Sequence, residues 1–127
     1  MKEIIPVLKN EEDELPVPTG WRQALIDIVE AFKNGDFCLN NKIDFVHSVS
    51  EADADRIAGN IAAYGDELIS LSEETWDTSI YQWMRGYWEI LVDLVTLEEG
   101  VSDLVMFVKV RENAGKFCFT VEDVHVP

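Results

Sequence analysis

The stretch that decides the fold is residues 87–126, YWEILVDLVTLEEGVSDLVMFVKVRENAGKFCFTVEDVHV. Apolar side chains recur in it at every second position, which is the period of a β-strand with one buried face. This alternation predicts three long strands, over residues 87–96, 103–112 and 116–126. The two connections between them are short and contain glycine, which favours antiparallel hairpins over parallel crossovers.

In the part of the chain that precedes these strands, the spacing of the apolar residues is that of helices. Apolar residues recur at three- and four-residue steps over residues 19–34. A second such stripe begins at Ser50, where Ser50 and Asp53 form a variant of the capping box, and ends at Gly65. The sequence therefore predicts an α+β fold in which two N-terminal amphipathic helices pack on one face of a twisted antiparallel β-meander of about four strands.

Residues 1–18 differ in character from the rest of the chain. They contain the like-charge run Glu11-Glu12-Asp13-Glu14, which is followed by Pro16 and Pro18. This composition predicts an acidic, extended and solvated lead-in. Because 127 residues is in the usual size range of one domain, residues 19–127 are expected to form a single α+β domain.

The chain is strongly acidic and still rich in apolar residues. It holds 25 Asp and Glu against 10 Lys and Arg, a formal charge of −15, and is 47% hydrophobic. Disordered chains combine high charge with low hydrophobicity, so this composition indicates a folded, anionic protein. The negative potential disfavours nucleic acid and anionic membranes as partners and attracts a basic protein.

Two features favour a cytoplasmic location. Cys38 and Cys118 show no CxxC spacing, which is expected of free thiols in a reducing compartment. The N-terminus lacks the pattern of a secretory signal, and no apolar run approaches the roughly 20 residues of a membrane helix.

Residues 75–88 are unusually aromatic, with five Trp or Tyr side chains. Such rings suit either a recognition surface or a core. The spacing of Trp76 and Trp88 favours the core, and both interpretations stay open for Tyr81, Trp83 and Tyr87.

Acidic residues lie on both sides of this aromatic segment. Residues 66–127 hold 13 acids and 4 bases, a balance of −9, whereas residues 1–65 hold 12 and 6, a balance of −6. We therefore expect an acidic, aromatic sheet edge that receives a basic partner. The expected partner-binding residues are Glu73, Glu74, Asp77, Tyr81, Trp83, Tyr87, Glu98, Glu99 and Asp103.

No sequence motif indicates an enzyme, so we predict no catalytic residue and no cofactor. The chain has only two histidines, His47 and His125, without a nucleophile motif or a phosphate-binding glycine pattern. The carboxylates near Glu98 could attract a hard cation, but their spacing does not match the EF-hand loop and we predict no metal site.

The C-terminal half carries a pattern of its own. It consists of residues 75–79 (TWDTS), 82–84 (QWM), 91–94 (LVDL) and 98–105 (EEGVSDLV), together with the chain end from Val121 to Pro127. This half resembles a family of small uncharacterised bacterial domains. It is similar in general character to the immunity proteins that protect cells from interbacterial toxins. The resemblance implies no catalytic residue.

The leading hypothesis is an immunity-type inhibitory binding protein that neutralises a basic bacterial toxin, with a nuclease as the first candidate. The alternative is a small-molecule-binding or enzymatic α+β domain whose pocket is lined by residues 76–88, with Asp77, Gln82 or Asp93 as polar contacts. Salt dependence distinguishes the two hypotheses, because the association rate of an electrostatically steered complex falls as the salt concentration rises.

Overall fold

The alternating C-terminal stretch forms the centre of an antiparallel sheet in an α+β protein. The computed structural model describes residues 4–127. The elements in chain order are β1 (Leu15–Pro16), a 3-10 turn (Thr19–Trp21), α1 (Arg22–Lys33), α2 (Glu51–Tyr64), β2 (Leu68–Ile69), α3 (Thr75–Thr78), β3 (Ile80–Trp83), β4 (Trp88–Thr96), β5 (Gly100–Asn113) and β6 (Lys116–His125).

The sheet has six strands, in the order β1-β3-β4-β5-β6, with β2 paired to the C-terminal end of β4. The predicted architecture, two N-terminal amphipathic helices over a meander of about four strands, is therefore wrong. The first strand precedes α1, and α3 separates β2 from β3. The strand β1 was not predicted, because two residues are too few to show an alternating pattern, and β2 is the short strand within residues 67–72, where the alternation is weak.

One face of the sheet lies in the hydrophobic core. On β4 and β5 this face consists of Trp88, Ile90, Val92, Leu94, Leu104, Met106, Val108 and Val110, all buried. The helix α1 covers it with Leu25, Ile28, Val29 and Phe32, and α2 adds Ala54 and Ile57. The opposite face of the sheet, called the open face below, carries the other alternate residues of β3–β6.

Local sequence signals account for where α2 begins and ends. The Ser50 hydroxyl accepts a hydrogen bond from the Asp53 backbone N–H at 3.2 Å, which satisfies one of the helix's free donors. Gly65 follows the last turn with φ of +82°, a left-handed conformation that glycine adopts without steric cost.

A β-bulge in β6 shifts the side-chain alternation. Phe107 pairs with Asp123 and Val108 with Val121, so Glu122 is an extra residue. As a result Phe119, Val121 and Val124 all lie in the core. Without the bulge, simple alternation would place Val124 on the other face, with Cys118 and Thr120.

The N-terminal segment packs against the sheet. The Tyr81 hydroxyl accepts from the Leu8 N–H at 2.7 Å and donates to the Pro6 carbonyl at 3.2 Å. The Trp88 indole N–H donates to the Leu8 carbonyl at 3.0 Å. Leu15 and Pro16 then pair with β3, so this end of the predicted lead-in, residues 1–18, is part of the sheet. Its residues 1–3 lie outside the described part of the chain.

Within residues 4–127, no helix combines the length and apolar character that crossing a bilayer requires.

Candidate protein-binding surface

The first group of predicted acidic residues surrounds the short helix α3. Thr75 and Trp76 are buried and anchor α3 to the core side. Glu73, Glu74 and Asp77 are exposed around it. The burial of the two anchors thus turns the neighbouring carboxylates toward solvent.

The second group surrounds the β4–β5 hairpin, where Glu98, Glu99 and Asp103 are exposed. The Asp66 carboxylate accepts hydrogen bonds from the backbone N–H groups of Glu98 and Glu99, at 3.3 Å each. The Tyr64 hydroxyl donates to Glu99 Oε1 at 2.6 Å, and this bond raises the pKa of Tyr64. The same hydroxyl accepts from the Asp103 N–H at 3.2 Å. These contacts fix the position of the hairpin and place the Asp66 carboxylate beside it.

A shallow depression of about 550 Å³ joins the two groups. Thr78, which follows Asp77, lines it together with Asp93 and Asp103. The Thr78 hydroxyl donates to Asp93 Oδ2 at 2.5 Å. The term acidic surface is used below for Asp66, Glu74, Asp77, Asp93, Glu98, Glu99 and Asp103.

The negative charge of the acidic surface is not compensated locally. Residues 57–108 contain ten acidic residues and one basic residue, Arg85. The ion pairs of the described residues form elsewhere, where Lys33 pairs with Glu30 and Arg56 with Asp53 and Asp123. Arg85 itself pairs with Glu11. Among residues 4–127, no Lys or Arg lies within 4 Å of a carboxylate of the acidic surface.

The predicted aromatic contact residues do not lie together. Tyr81 is 1% exposed and pairs with Ile90 on the core face, so its ring belongs to the core. Trp83 is partly exposed and packs on Trp88, with 4.7 Å between the ring centroids. Tyr87 is partly exposed beneath the Lys109 ammonium, which lies 4.4 Å from the ring centroid.

The carboxylates of the β4–β5 hairpin and the exposed rings lie at opposite ends of β4. Trp83 and Tyr87 flank the β3–β4 turn, whereas Glu98 lies two residues beyond the end of β4. At about 3.3 Å per residue, the nine residues of β4 separate the rings from the hairpin by roughly 30 Å. The expected sheet edge with acids and rings side by side is therefore two separate regions.

Both edges of the sheet are closed to an added strand. On β6, Phe119 exchanges backbone hydrogen bonds with Phe45 and His47, at 2.8 and 2.9 Å. Farther along β6, Arg56 donates to the Glu122 carbonyl at 3.0 Å and Asn60 to the Val124 carbonyl at 2.9 Å. The other edge consists of the two-residue strands β1 and β2, and β1 contains Pro16. A partner must therefore contact side chains on a surface rather than extend the sheet.

A groove of about 700 Å³ lies beside the acidic surface and was not predicted. Trp76 and Asp77 line it from α3, and Arg22 lines it from α1. The Arg22 guanidinium lies 5.1 Å from the Trp76 ring centroid and donates to the Val17 carbonyl, with its Nη2 at 3.0 Å. Of the predicted pocket segment, residues 76–88, only Trp76 and Asp77 line this groove. No sequence signal identified the groove, because it forms where α1 meets α3.

Within residues 4–127, no group of three or more His, Cys, Asp or Glu side chains has the arrangement of a metal site.

Comparison with known proteins identifies the family of the chain. Residues 29–127 match the model of a family described as Domain of unknown function (DUF7668). No curated protein and no solved structure matches the chain. The matched residues include every member of the acidic surface and exclude the N-terminal segment that packs on Tyr81. Since the match covers more than three quarters of the sequence, the chain belongs to the DUF7668 family.

Proposed function

We propose that this protein is an immunity-type inhibitory binding protein that neutralises a basic toxin, with a nuclease as the first candidate. The observation that carries the proposal is the acidic surface, whose carboxylates have no Lys or Arg within 4 Å among residues 4–127. An unpaired charged surface on a folded protein repels its own parts, and a cationic partner would relieve that repulsion.

The chemistry of a nuclease fits this surface. A protein that grips the phosphate backbone does so with clustered Lys and Arg side chains. Carboxylates on the β4–β5 hairpin pair with the same cations and so compete with the phosphate backbone for them. Complementary charge also speeds encounter, toward about 10⁸–10⁹ M⁻¹s⁻¹ at low salt, which suits an inhibitor that must act before its target does.

The test is binding to the purified protein encoded by the reading frame beside the gene, at low and high salt. We expect a complex at low salt whose association rate falls as salt rises. Absence of any complex at low salt would overturn the proposal.

Two variants locate the binding surface. The variant E98K/D103K reverses two charges of the acidic surface and leaves Glu99 with its bond to Tyr64. The control E12K/E14K reverses two exposed acids of the N-terminal segment. Each variant changes the net charge by four, from −15 to −11. We expect the first to slow association at least about tenfold and the second to have a much smaller effect. Equal effects of the two variants would contradict a role for the acidic surface.

A further inference from the structure

An apolar row crosses the open face of the sheet. Ile80 pairs with Leu91, and Leu91 pairs with Phe107, so the three side chains are neighbours on β3, β4 and β5. All three are partly exposed, and none belongs to the hydrophobic core cluster. A sheet face in contact with water normally carries polar residues, so a contiguous apolar row there indicates a contact surface.

Opposite charges stand next to this row without pairing. Glu89 on β4 is directly opposite Lys109 on β5. The two do not form an ion pair, because the Lys109 ammonium lies over the Tyr87 ring instead. No other Lys or Arg of residues 4–127 lies within 4 Å of Glu89. The open face therefore offers the Glu89 carboxylate and the Lys109 ammonium, on adjacent strands, to something outside the chain.

We propose that the open face binds the same face of a second copy of this chain, about a two-fold axis that runs along the strands between β4 and β5. Such an axis exchanges the positions of β4 and β5. It places Glu89 of each copy over Lys109 of the other, and Leu91 of each over Phe107 of the other. Both contacts occur twice, as a self-complementary interface requires. The sheets would pack with nearly aligned strands, about 10 Å apart.

A second copy fits this face better than a basic partner does. Lys109 and Arg111 both lie on β5 at this end of the sheet, and they would repel a cationic protein. The closed sheet edges exclude pairing of two copies through β6. The dimer therefore leaves the carboxylates of the β4–β5 hairpin available to a different protein, whereas Asp93, which pairs with Val105 on the open face, lies next to the dimer contact.

The dimer is expected to be weak. Four strands about 4.8 Å apart, over six residues of about 3.3 Å, span a flat area on the order of 400 Å². That area is about half of the roughly 800 Å² of accessible surface that each partner buries in a standard specific interface. Each copy also carries a charge of −15, so the copies repel each other at low salt. Salt shortens the Debye length from about 10 Å at 0.1 M to about 3 Å at 1 M, which should strengthen the association.

Sedimentation of the full chain tests the proposal, from roughly 1 μM to 1 mM protein, a range that covers weak dimers. The monomer mass is 14.5 kDa, and we expect the weight-average mass to rise toward twice that value, more at 1 M than at 0.1 M salt. F107E should raise the dissociation constant more than tenfold, whereas S48E, the same change in charge at an exposed loop residue, should not. A monomer throughout the range, or equal dimerisation of F107E and the wild-type protein, would overturn the proposal.

A charge swap tests the axis without removing an apolar side chain. At physiological ionic strength, E89K and K109E should each weaken the dimer, since each brings like charges together across the axis. The double variant E89K/K109E restores both pairs in reverse and keeps the net charge at −15, so it should dimerise again. A double variant that dimerises no better than the single variants would exclude this arrangement.

Discussion

The Tyr81 hydroxyl and the Leu8 backbone N–H, 73 residues apart in sequence, form a hydrogen bond of 2.7 Å. The same hydroxyl donates to the Pro6 carbonyl, so one buried side chain holds the N-terminal segment against the sheet. This contact gives the predicted binding residue Tyr81 a structural role.

Removal of this hydroxyl should loosen the N-terminal segment. Tyr81→Phe loses both hydrogen bonds and leaves the Leu8 N–H without its acceptor, so we expect a loss of about 1–2 kcal/mol in unfolding free energy. Hydrogen exchange at Leu8 should become faster. Tyr87→Phe is the control, because the Tyr87 hydroxyl makes no hydrogen bond with residues 4–127. Equal stability of Tyr81→Phe and the wild-type protein in urea would contradict this role.

Two buried tryptophans should respond differently to the same substitution. Trp88 donates its indole N–H to the Leu8 carbonyl, whereas the buried Trp21 indole N–H has no partner among residues 4–127. Trp88→Phe loses a hydrogen bond, and Trp21→Phe removes an unpaired buried donor. We expect Trp88→Phe to be the more destabilising by about 1–3 kcal/mol in urea unfolding followed by circular dichroism. The reverse order would show that ring packing outweighs the hydrogen bond.

The β5–β6 hairpin can be stabilised by a single substitution. Ala114 and Gly115 form its two-residue turn with φ of +53° and +78°, a conformation that favours Asn-Gly over Ala-Gly. We expect Ala114→Asn to raise the unfolding free energy by about 1 kcal/mol, because asparagine tolerates a positive φ better than alanine does. As a control, Ala62→Asn in α2 should destabilise the protein, since asparagine is a poorer helix former. A lower melting temperature for Ala114→Asn would contradict the prediction.

Asp36 should make stability depend on pH. Its carboxylate accepts the backbone N–H groups of Asn41 and Asn40, at 3.0 Å each, and these bonds lower the pKa of Asp36. A carboxyl whose pKa is lower in the folded state stabilises the protein above the unfolded-state pKa, about 3.9, and this contribution is lost as the pH falls through the lower folded-state value.

The measurement for Asp36 is urea unfolding at several pH values. Asp36→Asn should be less stable than the wild-type protein at pH 7, and the difference should narrow as the pH falls below about 4. Glu12→Gln is the control, because the Glu12 side chain is exposed and makes no hydrogen bond with residues 4–127. A difference that stays constant with pH would contradict the role of the charged carboxylate.

The acidic surface could be predicted in part because charge is visible residue by residue. The runs around Glu74 and Glu98 are exposed, as their charge requires, although their proximity through Thr78 and Asp103 depends on how α3 packs against the sheet. The aromatic residues were harder to assign. Whether Tyr81 faces the core depends on its register with Ile90, and nothing in the local sequence fixes that register.

By itself, the sequence determined the α+β class and the antiparallel sheet, because the two-residue period over residues 87–126 and the short glycine-containing connections act locally. Only the tertiary structure decided where the short strands pair, where the bulge at Glu122 lies, and that β4 separates the hairpin carboxylates from the exposed rings. These features arise from contacts between residues far apart in the chain, such as Tyr81 with Leu8. Their free energies depend on packing, and no local pattern of side chains records them.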